Sequence, residues 1–188
     1  MAPTISGGTY FWGTVFKLDP NGKETILHSF KGPPDDGGLP QATLILASGN
    51  LYGGTAQGGL SNCGDGCGTL FKVNKRTGKE KVLYRFKGAP DGRAPGALVI
   101  DAMGNVYGAT FEGGTFSNKE RPNGCGTVFK LSNTGKETVL HNFSGGSDGD
   151  YPIAGLVRDA KGRLYGAALN GGNSACVGGC GVVFKIAP

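Results

Sequence analysis

The sequence predicts an all-β fold of the β-propeller type, with three four-stranded repeats plus one extra strand. Three observations predict it. The chain repeats itself: WGTVFKLDPNGKETILHSF at 12–30 has near copies in CGTLFKVNKRTGKEKVLYRF at 67–86 and CGTVFKLSNTGKETVLHNF at 125–143. The anchors Gly13, Gly68, Gly126 and Gly181 fall 55, 58 and 55 residues apart, a period that belongs to propellers, trefoils and arrays. Each unit holds four short runs rich in Val, Leu, Phe, Tyr and Thr, bounded by Gly, Asn, Asp and Pro. No window carries the apolar i, i+3, i+4, i+7 pattern over helical length, so no helix longer than one turn is expected.

Taken in chain order, the unit opens on GTVFKL, a strand whose period of two puts Phe16, Phe71, Phe129 and Phe184 on one face and Lys17, Lys72, Lys130 and Lys185 on the other. The Phe face is read as core, and the Lys face as solvated or paired with Glu24, Glu80 and Glu137 on the next strand. A tight turn follows, DPNGK at 19–23 or SNTGK at 132–136, whose Asn and Gly suit the positive φ of short hairpins. The KETVLHSF strand comes next, then a long loop, PPDDGGLP in one unit, APDGRAP and GSDGDYP in the others. The third strand, AGLVRDA and its copies, turns at ASGN (47–50) or AMGN (102–105) into NLYGAT, where Tyr52, Tyr107 and Tyr165 are placed between blades. A second long loop then leads to the next unit. The units run about 13–67, 68–125 and 126–180, with the extra strand at 181–188. In an antiparallel meander every second loop emerges at the same edge, so the long loops share one face, and function is expected there.

Three blades are fewer than the usual ring of four to eight. A homodimer making a six-bladed ring would complete it, as would a longer array, and a β-trefoil-like closure is the alternative fold. The homo-oligomer is the preferred reading, since a partner would cover an unpaired strand edge.

Composition narrows the classes further. A chain of 188 residues can bury one real core, and 37 Gly suit turns and bulges rather than helices. With 38% hydrophobic and 18% charged residues, the chain is too apolar and too weakly charged for disorder. No run approaches the ~18 apolar residues of a membrane span, so no membrane insertion is expected. The net charge of +5 comes from scattered Lys and Arg. Its densest run, KVNKRTGKEK at 72–81, lies over a hairpin, and no basic stripe interleaved with aromatics points to nucleic acid.

Five cysteines bear on compartment. Cys63 and Cys67 in NCGDGCGT, and Cys176 and Cys180 in ACVGGCGV, sit at equivalent places before the GT strand, with Gly-rich spacers that let a short ring close. Loop disulfides in an oxidising compartment are the expected reading; zinc would prefer CxxC spacing and more than two His. Arg121 replaces the first Cys of the pair before Cys125, and Trp12 the second in the first unit. Cys125 is therefore expected to be unpaired within its own loop.

His28 and His141 share a position with Tyr84, and a His that alternates with Tyr reads as a packing or hydrogen-bonding residue. No Ser sits in a G-x-S-x-G elbow. Asp36, Asp91 and Asp148 recur before Gly in the long loops, where Asp-Gly commonly bonds its own backbone; they are also the candidate catalytic carboxylates, a glycosidase needing two within about 5 to 10 Å. No cofactor and no metal site are expected, although DGD at 148–150 offers calcium part of a ligand set. Tyr10, Trp12, Phe116 and Tyr151, in or near long loops, are the candidate ligand-binding aromatics for stacking on a sugar.

These residues carry a resemblance. GTVFKLDPNGKETILHSF, the Gly-Gly and Asp-Gly segments, AGLVRDAKGRLYGAA and the CxxxCGT segments resemble the GloVer tandem repeats of bacterial "choice-of-anchor" surface proteins, over roughly residues 8 to 187. The resemblance implies a secreted or surface-attached, propeller-like protein, usually with more repeats, and brings no catalytic residue or ligand with it. The start MAPTISGG has neither the charged head nor the apolar run of a signal peptide, so an extracellular or cell-surface location is expected with the export signal outside these residues. Two functions follow. One is a non-catalytic binding module that presents loops on one face to a glycan or surface protein; the other is a polysaccharide-acting hydrolase using Asp36, Asp91 or Asp148. An active site normally breaks symmetry, and these groups repeat, which favours binding. The three-residue longer loop at 115–124 is the one asymmetric loop and the place to look for a unique site.

Overall fold

The computed structural model describes every residue except Ser61, Asn62, Asn118, Ser174, Val177 and Pro188. Its strands assemble into four antiparallel sheets. The first joins β1 (Ala2–Thr4), β2 (Thr14–Leu18) and β3 (Glu24–Ser29) in that order. In the second, β4 (Gly37–Pro40) and β5 (Ile45–Ala47) both pair with β6 (Asn50–Gly58), which pairs with β7 (Thr69–Asn74) and so with β8 (Glu80–Arg85). The third runs β9 (Gly92–Ile100), β10 (Val106–Gly113), β11 (Thr127–Leu131) and β12 (Glu137–Asn142); the fourth holds β13 (Val157–Arg158), β14 (Leu164–Ala168) and β15 (Val182–Ile186). The only helical turn among the described residues that forms an element is the 3-10 turn Gly146–Asp148. The architecture is β-propeller-like.

Sheets two, three and four begin not at GTVFKL but at the AGLVRDA-type strand, with GTVFKL third; in the three-stranded first sheet β1 takes the second place, so that GTVFKL and β3 hold the third and fourth. The extra strand GVVFKI is accordingly the third strand of a fourth sheet, paired to β14 through Ala168↔Val182 to Leu164↔Ile186. The long-loop sequences are also shorter as loops than expected. β9 already starts at Gly92 and continues through Pro95 across a register shift, because a first strand has an open edge where Pro loses no ladder bond.

Sheets are joined by a repeated aromatic contact. The Phe that ends each fourth strand meets the Phe of the following sheet's third strand: Phe30 on Phe71 at 4.9 Å, Phe86 on Phe129 at 5.2 Å and Phe143 on Phe184 at 5.0 Å, all edge to face. Such pairs contribute about 0.5–1.5 kcal/mol beyond the area they bury. Three apolar clusters result, one at each boundary: Val15, Phe30, Leu51 and Phe71; Leu70, Phe86, Leu98 and Phe129; Tyr107, Val128, Phe143 and Leu164. The Phe rings fit because the second strand has Gly opposite. A Cβ at Gly53 or Gly108 would stand 2.6 Å from Phe71 or Phe129 Cζ. The end sheets are covered on one side only, so Val183 is 82% exposed where its equivalents Val15, Leu70 and Val128 are 0%.

One side chain goes elsewhere than the strand alternation predicts. The hairpin register set by the turn at 132–136 places Thr138, not Glu137, across from Lys130, and Glu137 across from the buried Leu131; the register shift lies farther along, between Val128 and Phe129. The equivalent hairpin register sets Lys72 against Lys81 and Val73 against Glu80. The expected Lys to Glu pairs therefore do not form at these strands; both glutamates are turned toward the preceding boundary.

Candidate functional site

The tight turns and the long loops separate onto opposite edges. The turns are closed by their own side chains: Asp19 accepts from Asn21 N–H and Lys23 N–H, Asn74 from Arg76 and Thr77, Asp101 from Met103 and Asn105, and Asp159 from Lys161 and Arg163. The long loops are braced by backbone. Gly59 N–H donates to Asp36 O, Gly114 N–H to Asp91 O and Gly172 N–H to Gly146 O, tying each second-to-third-strand loop to the connection entering its sheet. At the same point of sheets two, three and four a non-glycine residue takes the left-handed conformation: Leu39, Ala94 and Tyr151, at φ 53, 53 and 52°. Their N–H groups are held by the carbonyls of Trp12, Cys67 and Cys125, bonds that offset the strain of the conformation.

The two expected disulfides form, Cys63–Cys67 and Cys176–Cys180. Cys125 is free and buried; burial, reinforced by the Asp150 charge, pushes its thiol pKa up, which keeps it in the unreactive form. These groups and Trp12 do one packing job. A Cβ on Gly32 would meet the Trp12 ring at 2.5 Å, one on Gly88 would meet Cys63 Sγ at 3.0 Å, and one on Gly145 would meet Cys125 Sγ at 3.7 Å. Trp12 thus covers the connection between sheets rather than standing free.

The three repeated aspartates clamp those connections. Asp36, 7% exposed, takes Gly37 N–H on Oδ1 and Lys31 N–H on Oδ2, and His28 Nε2 lies 3.1 Å from Oδ2. Burial pushes this carboxyl up, but the His28 bond and the two backbone donors outweigh it, and its pKa ends below the ordinary value. Asp91 accepts from the Tyr84 hydroxyl at 2.9 Å and Lys87 N–H at 3.1 Å. Asp148 accepts from Ser144 N–H, with His141 Nε2 at 3.2 Å. His28 and His141 are therefore hydrogen-bonding residues, and each Asp belongs to a different boundary. Asp148 is held by Ser144 and His141, and Asp150 pairs with Arg121.

At the first two boundaries a glutamate joins the clamp. Glu80 is pushed up to about 7, mainly by burial and then by the Asp36 charge; Glu137 is likewise pushed up to about 7 by burial and the Asp91 charge. Glu80 Oε1, Glu137 Oε1 and Asp91 Oδ1 are buried without a hydrogen-bond partner. Sequence reading missed this role, because it set the glutamates across from the lysines, whereas the hairpin register sets them across from the buried Leu131 and Val73.

A cavity of about 440 Å³ opens where the first strands of sheets two, three and four converge. Gln41 and Thr43, Pro95, Phe111, and Pro152 and Ile153 line it. Its described lining holds no titratable side chain. Phe111 stacks on Tyr151, centroids 4.4 Å apart and planes at 16°, and the Arg121 guanidinium lies 4.9 Å from the Tyr151 centroid. Arg121 also forms the buried ion pair with Asp150, so the long loop at 115–124, of which Asn118 lies outside the described residues, is anchored through Arg121 beside the cavity. Of the four candidate aromatics, Tyr151 belongs to this stack. Tyr10 and Phe116 are 47% and 50% exposed, and Trp12 is half-buried beneath Gly32 and Gly38. Gln41, Thr43 and Phe111 were not singled out from sequence. The available signal was asymmetry, since Phe111 stands where the other units have Ala56 and Leu169.

No helix among the described residues is long and apolar enough to cross a membrane. Among solved structures, the chain is similar to a protein described as a candidate gluconolactonase, at 14% identity and TM-score 0.52, covering 92% of this chain and 56% of that one. It is also similar to a luciferin-regenerating enzyme, at 17% identity and TM-score 0.49, over 96% of this chain and 54% of that one. The chain thus spans about half the length of these structures. No curated protein matches it. The sequence profile of the Gloeobacter/Verrucomicrobia repeat matches residues 2–188, and the chain belongs to that repeat family.

Proposed function

We propose that this chain is an extracellular, non-catalytic binding module whose long-loop face takes a neutral glycan. The observation that carries the reading is the cavity lined by Gln41, Thr43 and Phe111. Amide, hydroxyl and aromatic groups are what a polyhydroxylated ligand uses: hydrogen bonds to its hydroxyls and a flat apolar surface for its ring faces. The Phe111–Tyr151–Arg121 stack makes that surface rigid, which limits the ordering cost on binding. The disulfides support an oxidising compartment. Affinity electrophoresis in gels cast with soluble neutral polysaccharides tests the reading. Retention of the native chain that is lost in Phe111→Ala is the expected result, and equal migration of both in every gel would count against it.

Hydrolysis through Asp36, Asp91 or Asp148 is the other reading. It draws on no group in the cavity, and each of these carboxylates is tied to its own connection. A homodimer fits the uncovered face of sheet four, where Val183 and Val157 are 82% and 66% exposed. Light scattering of the native chain should then give twice the mass of one chain; the single-chain mass at high concentration would remove that reading.

A further inference from the structure

The first boundary holds a set of ligating atoms that the second lacks. His28 on β3, Asp36 in the connection before β4 and Glu80 at the start of β8 each offer one atom, and these atoms lie within 4.8 Å of one another. The His28 Nε2 to Asp36 Oδ2 separation of 3.1 Å is close to the edge of a coordination tetrahedron, about 3.3 Å for metal–ligand bonds of about 2.0–2.1 Å. Backbone donors from Lys31 and Gly37 already fix the Asp36 carboxylate, the kind of outer support that orients ligating carboxylates.

Glu80 adds an independent sign. Its Oε1 is buried with no hydrogen-bond partner, and leaving such an oxygen unmatched is costly. A cation beside His28 and Asp36 supplies the partner. The nearby Arg85 guanidinium bonds the Asp35 carbonyl at 2.7 Å. At the second boundary the group in the place of His28 is the Tyr84 hydroxyl, a donor to Asp91, and two carboxyl oxygens stand unmatched there, Asp91 Oδ1 and Glu137 Oε1. A pair of that kind suits a shared proton, whereas one imidazole with two carboxylates suits a metal.

We propose that His28, Asp36 and Glu80 form a binding site for a divalent transition-metal cation of the zinc class. The imidazole nitrogen excludes calcium as the preferred ion, since calcium favours all-oxygen cages of six to eight ligands. The His28 side chain is 16% exposed, which gives the ion a route from solvent and a solvent-facing position for a fourth ligand.

The test is calorimetric titration of the chelator-stripped full chain with zinc chloride, alongside His28→Tyr, Glu80→Gln and His141→Tyr. His28→Tyr copies the residue that the second boundary uses at this position, so its clamp to Asp36 is kept; circular dichroism and a melting curve confirm the fold. One zinc per chain is expected. Affinity should fall by about 100-fold or more in His28→Tyr and Glu80→Gln, beyond the 10–100-fold that loss of outer support alone produces, and stay unchanged in His141→Tyr. Cobalt(II) bound to the native chain should show visible d–d absorption that His28→Tyr abolishes. Absence of saturable zinc binding at millimolar zinc, or equal zinc affinity in folded His28→Tyr, overturns the proposal.

Discussion

The first and second sheet boundaries are the same kind of clamp built on a different ring residue. At each, a short connection, residues 30–36 in one and 86–91 in the other, carries an Asp that binds the backbone, Asp36 on Lys31 N–H and Asp91 on Lys87 N–H, and a fourth-strand ring side chain bonds that Asp: His28 at one, Tyr84 at the other. Each ring also lies edge-on to the next Phe but one, Phe30 or Phe86, at 4.8 and 5.1 Å. The clamp therefore needs a flat ring with a hydrogen-bonding tip, and either residue serves. What His28 adds is a nitrogen that can bind a metal. The comparison separates a structural demand of the repeat from a chemical option at one of its copies.

The largest effects should come from breaking both clamps alike. Asp36→Ala and Asp91→Ala each leave a backbone N–H and a ring donor unmatched, and each should lower stability by about 2–4 kcal/mol in urea unfolding. A near-neutral result at either would show that its carboxylate does not hold the connection. Next come the packing glycines. Gly53→Ala and Gly108→Ala push a methyl group into the Phe71 and Phe129 rings, at about 1–3 kcal/mol each. Clearly unequal losses would mean that the two boundaries are not packed alike.

A smaller effect depends on pH and is common to both boundaries, since Glu80 and Glu137 are both pushed up to about 7. Glu137 is half-buried and its carboxyl sits at about 7 in the fold, against 4.5 as its ordinary value. Between these values the folded state holds more protons than the unfolded one, so stability falls as pH rises. The contribution is fully present below about 4.5 and is lost as pH passes through about 7. After allowance for solvent screening it is on the order of 1–2 kcal/mol. Glu137→Gln should make that part of the stability profile less steep, measured in chelator, with Glu80 supplying the remaining slope, and gain stability at pH above the transition; an unchanged slope would contradict the assignment. The smallest change is Tyr84→His. It should alter metal-free stability by less than about 1 kcal/mol and give the second boundary a zinc affinity that the native residue denies it.

Sequence reading reached the fold through the repeat. The GTVFKL and KETVLHSF strands, the turns at 19–23 and 132–136, and the disulfides Cys63–Cys67 and Cys176–Cys180 are local features, fixed by alternation, turn chemistry and spacing. The sheet boundaries were less legible. A strand alternation cannot say which of its four members is first, and that is set by which edges pair. The inward turn of Glu80 and Glu137 was not legible, because it depends on the hairpin register beside each turn, which pairs them with the buried Val73 and Leu131 rather than with Lys72 and Lys130. The cavity escaped for a related reason: Gln41 and Thr43 are far in sequence from Phe111 on β10, and they line one cavity only when sheets two, three and four converge. Of the aromatic candidates, Tyr151 lies against Phe111, and Trp12 lies half-buried over Gly32 and Gly38, a contact that strand alternation does not reveal.

The central claim is that the aspartates hold the loop face together and the cavity beside them binds. One experiment addresses both halves: incubate the native chain, Phe111→Ala and Asp91→Asn with soluble neutral polysaccharides, and follow bound polymer and released reducing ends together. The account predicts bound polymer for the native chain and Asp91→Asn, loss of about 10-fold or more in Phe111→Ala, as removal of a stacking aromatic implies, and no reducing ends above the blank in any sample. Steady release of reducing ends by the native chain that stops in folded Asp91→Asn would contradict it and make the clamp a catalytic group.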